Sequence, residues 1–463
     1  MTLLAFAAIA LLAIVLPLVA AEVSPAFVSM SYGQSFVPFE LLGLSGGVAI
    51  LAVGGWALRR RRAHGPREWL AVVAPCLMGL HFLTLTSEYA QRRFDYDCYE
   101  YAGRAILAEQ SPYRTGLIYL YPPPTAQSFA VAHRAVEALS EAVGWSAARD
   151  AVWDRVFYLY QCAQLLLLFG AYFGLRRFGA DAGLRGWWLP ALVAGLLVFD
   201  NAVFRTLRHG QINLFVLDLA LAGVVLARRR PALAGLAVAL AGHIKLYPLI
   251  LWLPMTIAGR WRAAAWSVAS VGAVMLVSSD FGRDFSLWRD FLELLRADFP
   301  GEIAFRNNSL HSLLFNTARL GFDVRGASAF VSWGTRLGAL GFAVWYGLRF
   351  HARVRLHRAA PAAGEGDRLG FAAHAADALA FALLVSPSVW EHHYVMALPL
   401  ALVAIRTSGA GRPGLVALGI FLMLVMPTFD VFLLGHHRLA GMLLLLAITP
   451  PTAVHAAGER DAS

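Results

Sequence analysis

Apolar runs of about 20 residues recur from end to end of this chain, and they limit its fold more than any other feature. A bilayer's hydrocarbon core is ~30 Å thick, and a helix rising ~1.5 Å per residue crosses it in about 20 residues. With no water to satisfy the backbone there, a continuous apolar run of this length spans as a helix. Of the 463 residues, 59% are apolar and only 15% charged, so little sequence is left over for a separate soluble core. The predicted class is all-α, a polytopic transmembrane helical bundle of about 13–14 membrane segments. Two long outer loops carrying interfacial helices complete it.

The net charge of +10 does not imply a nucleic-acid partner, because the arginines sit in short runs between spans, where they set orientation. Arg59-Arg60-Arg61-Arg62 closes the second span and marks the inner side. Spans are expected at 3–20, 39–58, 69–86, 155–174, 187–200, 211–227, 263–279, 327–349, 370–386, 393–406, 413–429 and 439–454. The apolar stretch 231–258 lies between two inner markers, Arg228-Arg229-Arg230 and Arg260-Trp261-Arg262. It must go out and back on two arms, each roughly 20 Å long, so its tip at Gly242 to Pro248 lies in the outer half or lines a cavity. The outer loops are 87–154 and 280–326, the second with an interfacial helix near Phe285 to Leu295. In domain terms, 1–68 is an N-terminal hairpin, 69–454 the main transmembrane domain and 455–463 a loose tail. No basic residue precedes the first apolar run, so it is expected to be an uncleaved span. The three cysteines, Cys76, Cys98 and Cys162, have no metal spacing and form no disulfide framework.

Asp95, Asp97 and Glu100 put three carboxylates into the opening of the first outer loop. Asp97 and Glu100 read as a helix cap and its reciprocal partner, which leaves Asp95 outside the helix with no structural task. A free carboxylate at a membrane surface is a candidate base, although all three could simply be an acidic helix start.

Four further clusters fall on the outer side. Lys245 is the only lysine among 39 basic residues, in Gly242-His243-Ile244-Lys245-Leu246-Tyr247-Pro248. A compact ammonium kept where arginine is otherwise universal suits an anionic partner such as phosphate; the alternative is a side chain snorkelling to the surface. Arg205, Arg208, Gln211 and Asn213 put cations before amides at a span mouth, fit for an anion or sugar hydroxyl or for ordinary interfacial anchoring. Arg306, Asn307 and Asn308 offer donors and acceptors together, or a plain helix cap. Glu391, His392 and His393 fill a tight turn with Trp390; the histidines suit a phosphate donor or proton carrier, or only a wet turn. Tyr121, in Tyr119-Leu120-Tyr121-Pro122-Pro123-Pro124, could stack on a sugar or anchor at the interface. Asp97 and Glu391 stand as secondary acids. Asp95 with Asp97 is too thin a donor set to predict a divalent ion, so no metal or cofactor is expected.

In order, Asp95 and Tyr99, Ala102-Gly103, Ser111 to Tyr113, Tyr121 to Pro123, Gly210-Gln211 with Asn213, Lys245 with Tyr247-Pro248, Asn307 with Ser309-Leu310, and Ser386 to His393 resemble glycosyltransferase family 87. The resemblance covers about residues 90 to 400. It implies a bundle of GT-C type and a polyprenyl-phosphate-mannose-dependent α-mannosyltransferase working at the outer membrane face. The family's first-loop aspartate carries its base role to Asp95, and its lysine and histidine motifs match Lys245 and His392, implying contact with the donor phosphate. Tyr99, Tyr121, Gln211, Asn307, Asn308, Arg205, Arg208 and His393 complete the expected donor phosphate and sugar site. The expected partners are a polyprenyl-phosphate sugar, a glycolipid or glycan acceptor and the bilayer. Another pentosyl or hexosyl donor, such as an arabinofuranosyl one, is the runner-up. A transporter would instead carry ionisable residues in mid-span, where only Asp218 and Asp377 come close.

Overall fold

The computed structural model describes residues 2–23, 37–61, 65–89, 94–115, 119–145, 148–296, 307–319, 324–359, 366–408, 411–429 and 431–449. Arg306 and the expected tail 455–463 lie outside them. The described residues form an all-α bundle: every named element is helical, and the sole β-bridge is isolated, between Asn307 and Trp390. Four helices are long and apolar enough to cross a membrane, at Leu41–Arg59, Glu68–Ser87, Arg149–Asp181 and Trp261–Ser278. A fifth crossing arises if the bent pair Leu189–Phe199 and Asn201–Arg208 counts as one. The protein is therefore an integral membrane protein. Several other apolar helices are shorter than a full crossing, which is what the paired arms of 231–258 require.

The helices that position the site can be taken in chain order. α1 (Thr2–Val23) and α2 (Val37–Arg61) form the N-terminal hairpin on α3 (Pro66–Tyr89). The hairpin also reaches the long α6 helix described below: Tyr158 donates to the Ile14 carbonyl at 2.9 Å, and Phe39 meets Phe157 edge-on at 5.5 Å. α4 (Phe94–Leu107) and α5 (Pro123–Ala142) lie in the stretch 87–154. The prolines at 122–124 thus do more than stiffen the chain. Pro123 and Pro124 occupy the first turn of α5, where a missing N–H costs nothing. α6 (Arg149–Asp181) returns across the bundle.

After α7 (Leu189–Phe199) the chain bends by 57° into α8 (Asn201–Arg208), a segment expected to be loop. Asp200 makes the bend by capping α8, accepting the Ala202 N–H at 2.8 Å. The turn after α8 needs Gly210, at φ +64°, where a Cβ would come within 3.0 Å of Tyr96 Cβ. α9 (Asn213–Leu226) then descends, and α10 (Pro231–Ile244) climbs to Lys245. Lys245 adopts extended backbone, ends α10 and starts the return through a 3-10 turn at Tyr247–Leu251 and α11 (Trp252–Ile257). α10 packs closely on α12 (Trp261–Ser278): a Cβ on Gly235 would stand 2.5 Å from the Ser267 nitrogen. Small residues at such crossings are how helices associate inside lipid.

α13 (Ser286–Arg296) is the amphipathic helix of the stretch 280–326. Its Asp290 pairs with Arg114 of the first loop, and Trp288 donates to Ser278 at 2.9 Å at the end of α12. α14 (Leu310–Ala318), α15 (Val324–Ala359), α16 (Gly366–Val385), a 3-10 turn at Glu391–Ala397, α17 (Leu398–Ser408), α18 (Pro413–Ile420) and α19 (His437–Ile448) complete the chain.

Candidate active site

α4 begins at Phe94, three residues earlier than the cap pattern implied. Asp95 and Asp97 both lie in its first turn, so Asp95 is inside the helix, not before it. Glu100 does not close a capping box on Asp97. It accepts two bonds from Arg104 (3.0 and 2.8 Å), and Arg104 also binds Asp150 at 2.8 Å. An acidic first turn suits the positive end of the helix, which accounts for both aspartates locally. What separates them is position around the helix: Asp97 is exposed, whereas Asp95 is half-buried and turns toward Gln211, Lys245 and Glu391.

Gln211 organises that side. Tyr99 Oη lies 2.8 Å from Tyr121 Oη and 3.2 Å from Gln211 Oε1, and accepts the Ile212 N–H at 3.4 Å. Tyr121 also reaches Gln211 Oε1, at 3.4 Å. With its oxygen taken by the tyrosines, Gln211 has its amide NH₂ left to interact with the Asp95 carboxylate. Burial lifts the Asp95 carboxyl above its usual range, and Gln211 and the Lys245 charge pull it partly back. Tyr99 is fully buried and stacked on Phe129 at 5.2 Å, so it positions Tyr121 and Gln211; the half-buried Tyr121 is the ring left to face a ligand.

Lys245 closes the other side. Its Nζ is 5.4 Å above the Tyr121 ring and 2.7 Å from His393 Nε2. It is 9% exposed, so it does not snorkel. His393 Nδ1 accepts the Trp390 backbone N–H at 3.0 Å. A neutral imidazole engaged this way carries its proton on Nε2, and Nε2–H can only donate to Lys245 if the amine is neutral. Burial, opposed by Asp95, drives the ammonium the same way, pushing Lys245 down to about 7. Desolvation by burial keeps His393 well below its ordinary value. The ring hydrogen-bonded to Lys245 is that of His393; the motif singles out its neighbour His392 for the donor phosphate. The His392 carbonyl accepts from Asn213 Nδ2 at 3.1 Å, and the His392 ring lies 4.6 Å from that of His393.

Several residues expected to touch the ligand also hold this turn in place. Asn307 Oδ1 accepts the N–H groups of Val389 (2.9 Å) and Ser309 (3.1 Å). The Asn308 N–H donates to the Val389 carbonyl at 2.7 Å, and its own carbonyl accepts from Tyr394 at 3.2 Å. Arg205 pairs with Glu391 at 3.0 Å, and Thr428 donates to the same carboxylate. Arg208 lies over Phe204 at 5.9 Å. Sequence reasoning missed Arg438, fully buried, which donates to the Met423 carbonyl (2.8 Å) and to Thr428 (3.3 Å). An arginine followed by ten apolar or small residues was the available signal. It also missed Tyr160, which fixes the critical turn by donating to the Gly210 carbonyl at 2.9 Å.

A carboxylate with raised proton affinity and a buried lysine, joined by a tyrosine–glutamine wall, can accept a proton on one side and receive an anion on the other. The sequence pattern of glycosyltransferase family 87 matches residues 119–387, more than half of the chain. The chain belongs to glycosyltransferase family 87. The matched stretch holds Tyr121, Gln211, Lys245, Asn307 and Asn308; Asp95, His392 and His393 lie just outside it.

Three curated family relatives are similar to it. One, of Mycobacterium tuberculosis (strain CDC 1551 / Oshkosh), is a polyprenol-phosphate-mannose-dependent α-(1-2)-phosphatidylinositol pentamannoside mannosyltransferase, 28% identical over 56% of each chain. Two are polyprenol-phosphate-mannose-dependent α-(1-2)-phosphatidylinositol mannoside mannosyltransferases. That of Mycolicibacterium smegmatis is 29% identical over 55% of each chain. That of M. tuberculosis (strain ATCC 25618 / H37Rv) is 27% identical over 67% of this chain and 70% of its own. The chain spans little more than half the length of the first two.

Proposed function

We propose that this family 87 protein transfers one mannosyl residue from a polyprenyl-phosphate donor to a hydroxyl of a mannosylated glycolipid, at the outer membrane face. The observation that carries the reading is the convergence of Asp95 and Lys245 on the Tyr121–Gln211 wall. The relatives' names supply the donor and the acceptor class. The outward orientation follows from the arginine-rich short loops and suits a lipid-linked donor.

In the reaction, the acceptor oxygen attacks the anomeric carbon while Asp95 takes its proton. The bond from that carbon to the phosphate oxygen breaks, its electron pair leaves with the polyprenyl phosphate, and configuration inverts in one displacement. Lys245 has a specific part. In the free enzyme it accepts from His393 as an amine; an entering phosphate favours the ammonium, so donor binding takes up a proton. The resulting cation then offsets charge on the departing phosphate. Gln211 aims Asp95, while Asn213, Asn307 and Asn308 hold the His392-His393 turn.

The test is to incubate the purified protein with polyprenyl-phosphate-mannose and a phosphatidylinositol mannoside and to weigh the products. A gain of one hexose on the acceptor supports the reading. Lipid passage between leaflets without any such gain would contradict it.

A further inference from the structure

A second feature lies at the other end of the same helices. α6 carries Tyr160 at the Gly210 turn and ends in Arg177 and Asp181. α9 starts at Asn213, which holds the His392 carbonyl, and runs down to Arg228 and Arg229. The return arm from Lys245 ends at Arg260, and α16 starts near Phe371 and ends close to the histidine turn. One element after another thus has a residue at each end, and the lower ends meet around a cavity of about 50 Å³. A single water needs roughly 10–15 Å³ by the same measure, so the space is too large for one.

The cavity's lining is of two kinds: the buried Phe178 and Phe371, and the arginines Arg177, Arg228, Arg229 and Arg260. Among the lining residues four guanidiniums meet one carboxylate, Asp181, which lies 3.3 Å from Arg177. Orientation signals need arginines in inner loops, but they do not need arginines from three separate helix ends to close around one concavity. Planar guanidiniums are the side chains best matched to phosphate oxygens. A lining that combines buried aromatic rings with guanidiniums suits a molecule with an anionic head and an apolar body.

We propose that this cavity binds a phosphate-bearing anion, forming a second site at the opposite end of the bundle from Asp95 and Lys245. The source is either an anionic phospholipid of the facing leaflet or a soluble phosphate compound. The full chain, purified and placed in nanodiscs of mixed phosphatidylglycerol and phosphatidylcholine, is analysed by native mass spectrometry for retained lipid. The Arg228→Gln/Arg229→Gln double variant is compared with Arg59→Gln/Arg355→Gln, which removes equal charge from helix ends that do not line the cavity. Thermal unfolding of each variant confirms that it is folded. Preferential phosphatidylglycerol retention that drops by roughly tenfold or more only in the cavity variant is the expected result. Displacement of the lipid by millimolar inorganic phosphate would also support the site and assign it a soluble source. Equal retention in wild type and cavity variant, together with no phosphate binding by either, would overturn the proposal. So would an equal loss in both double variants, since that reports surface charge alone.

Discussion

Two carboxylates in this protein, Asp377 and Asp95, each have cations near them from distant parts of the chain, and their surroundings differ in one respect. Asp377 is closed. Arg349 binds it through two nitrogens at 2.9 and 3.3 Å, Arg353 adds a third bond, and Arg349 also donates to the Leu446 and Thr449 carbonyls. Both oxygens of Asp377 are engaged. Asp95 is open. It shares one amide with two tyrosines, feels Lys245 without a direct ion pair among the described contacts, and keeps part of its surface exposed. A saturated charge network ties helices together, whereas an undersupplied one is poised to react.

The largest effect that separates the two should come from Asp95→Asn. Shape is retained and only the base is lost, so transfer should fall by about 10²–10⁴-fold with unfolding temperature and donor binding unchanged. Asp377→Asn should do the opposite. Leaving two buried guanidiniums underpaired costs about 3–5 kcal/mol, visible in thermal unfolding, while the surviving folded protein keeps its turnover.

Lys245→Arg tests the open cluster from its cationic side. The groups facing Lys245 are Asp95, His393, His392 and the Tyr121 ring. Asp95 must be ionised and its affinity for protons is raised, so kcat/KM should rise with pH on an acid limb displaced above the ordinary carboxylate range. Lys245 must be charged beside the phosphate, so kcat/KM should fall as pH climbs through about 7. Arginine stays charged throughout and abolishes this alkaline limb, at lower overall activity because a fork replaces a point charge. A pH–rate profile with the same alkaline limb in both proteins would remove Lys245 from the titration.

Gln211→Ala should lower turnover less than Asp95→Asn, since the base survives but loses its aim. Asp97→Asn should have the smallest effect, because its side chain is exposed on the helix face away from the cluster. A ranking with Asp97 above Asp95 would transfer the base role.

Much of this was legible in the chain itself. Apolar run length identified the class, and the short arms around 245 placed a turn where the structure has one. The only lysine pointed to itself, and Gln211 stood in a motif. What could not be read was pairing across long separations. Arg205 and Glu391 both looked like ligand groups because each looks uncommitted without the other. Asn307 looked like a hydroxyl reader, yet Val389, 82 positions away, takes its oxygen. The start of α4 was misjudged for a local reason: a residue pattern fitting a cap also fits a first turn, and only packing of Tyr96 and Tyr99 into the core decides between them.

The central claim is a division of labour between Asp95 and Lys245, and measuring donor binding and transfer side by side tests it most directly. Purified Asp95→Asn and Lys245→Met proteins would be titrated with polyprenyl-phosphate-mannose, then given acceptor in a single turnover. The account predicts that Asp95→Asn binds donor as wild type does and transfers nothing measurable, while Lys245→Met loses donor affinity. Transfer by Asp95→Asn within about tenfold of wild type, or undiminished donor affinity in Lys245→Met, would contradict it.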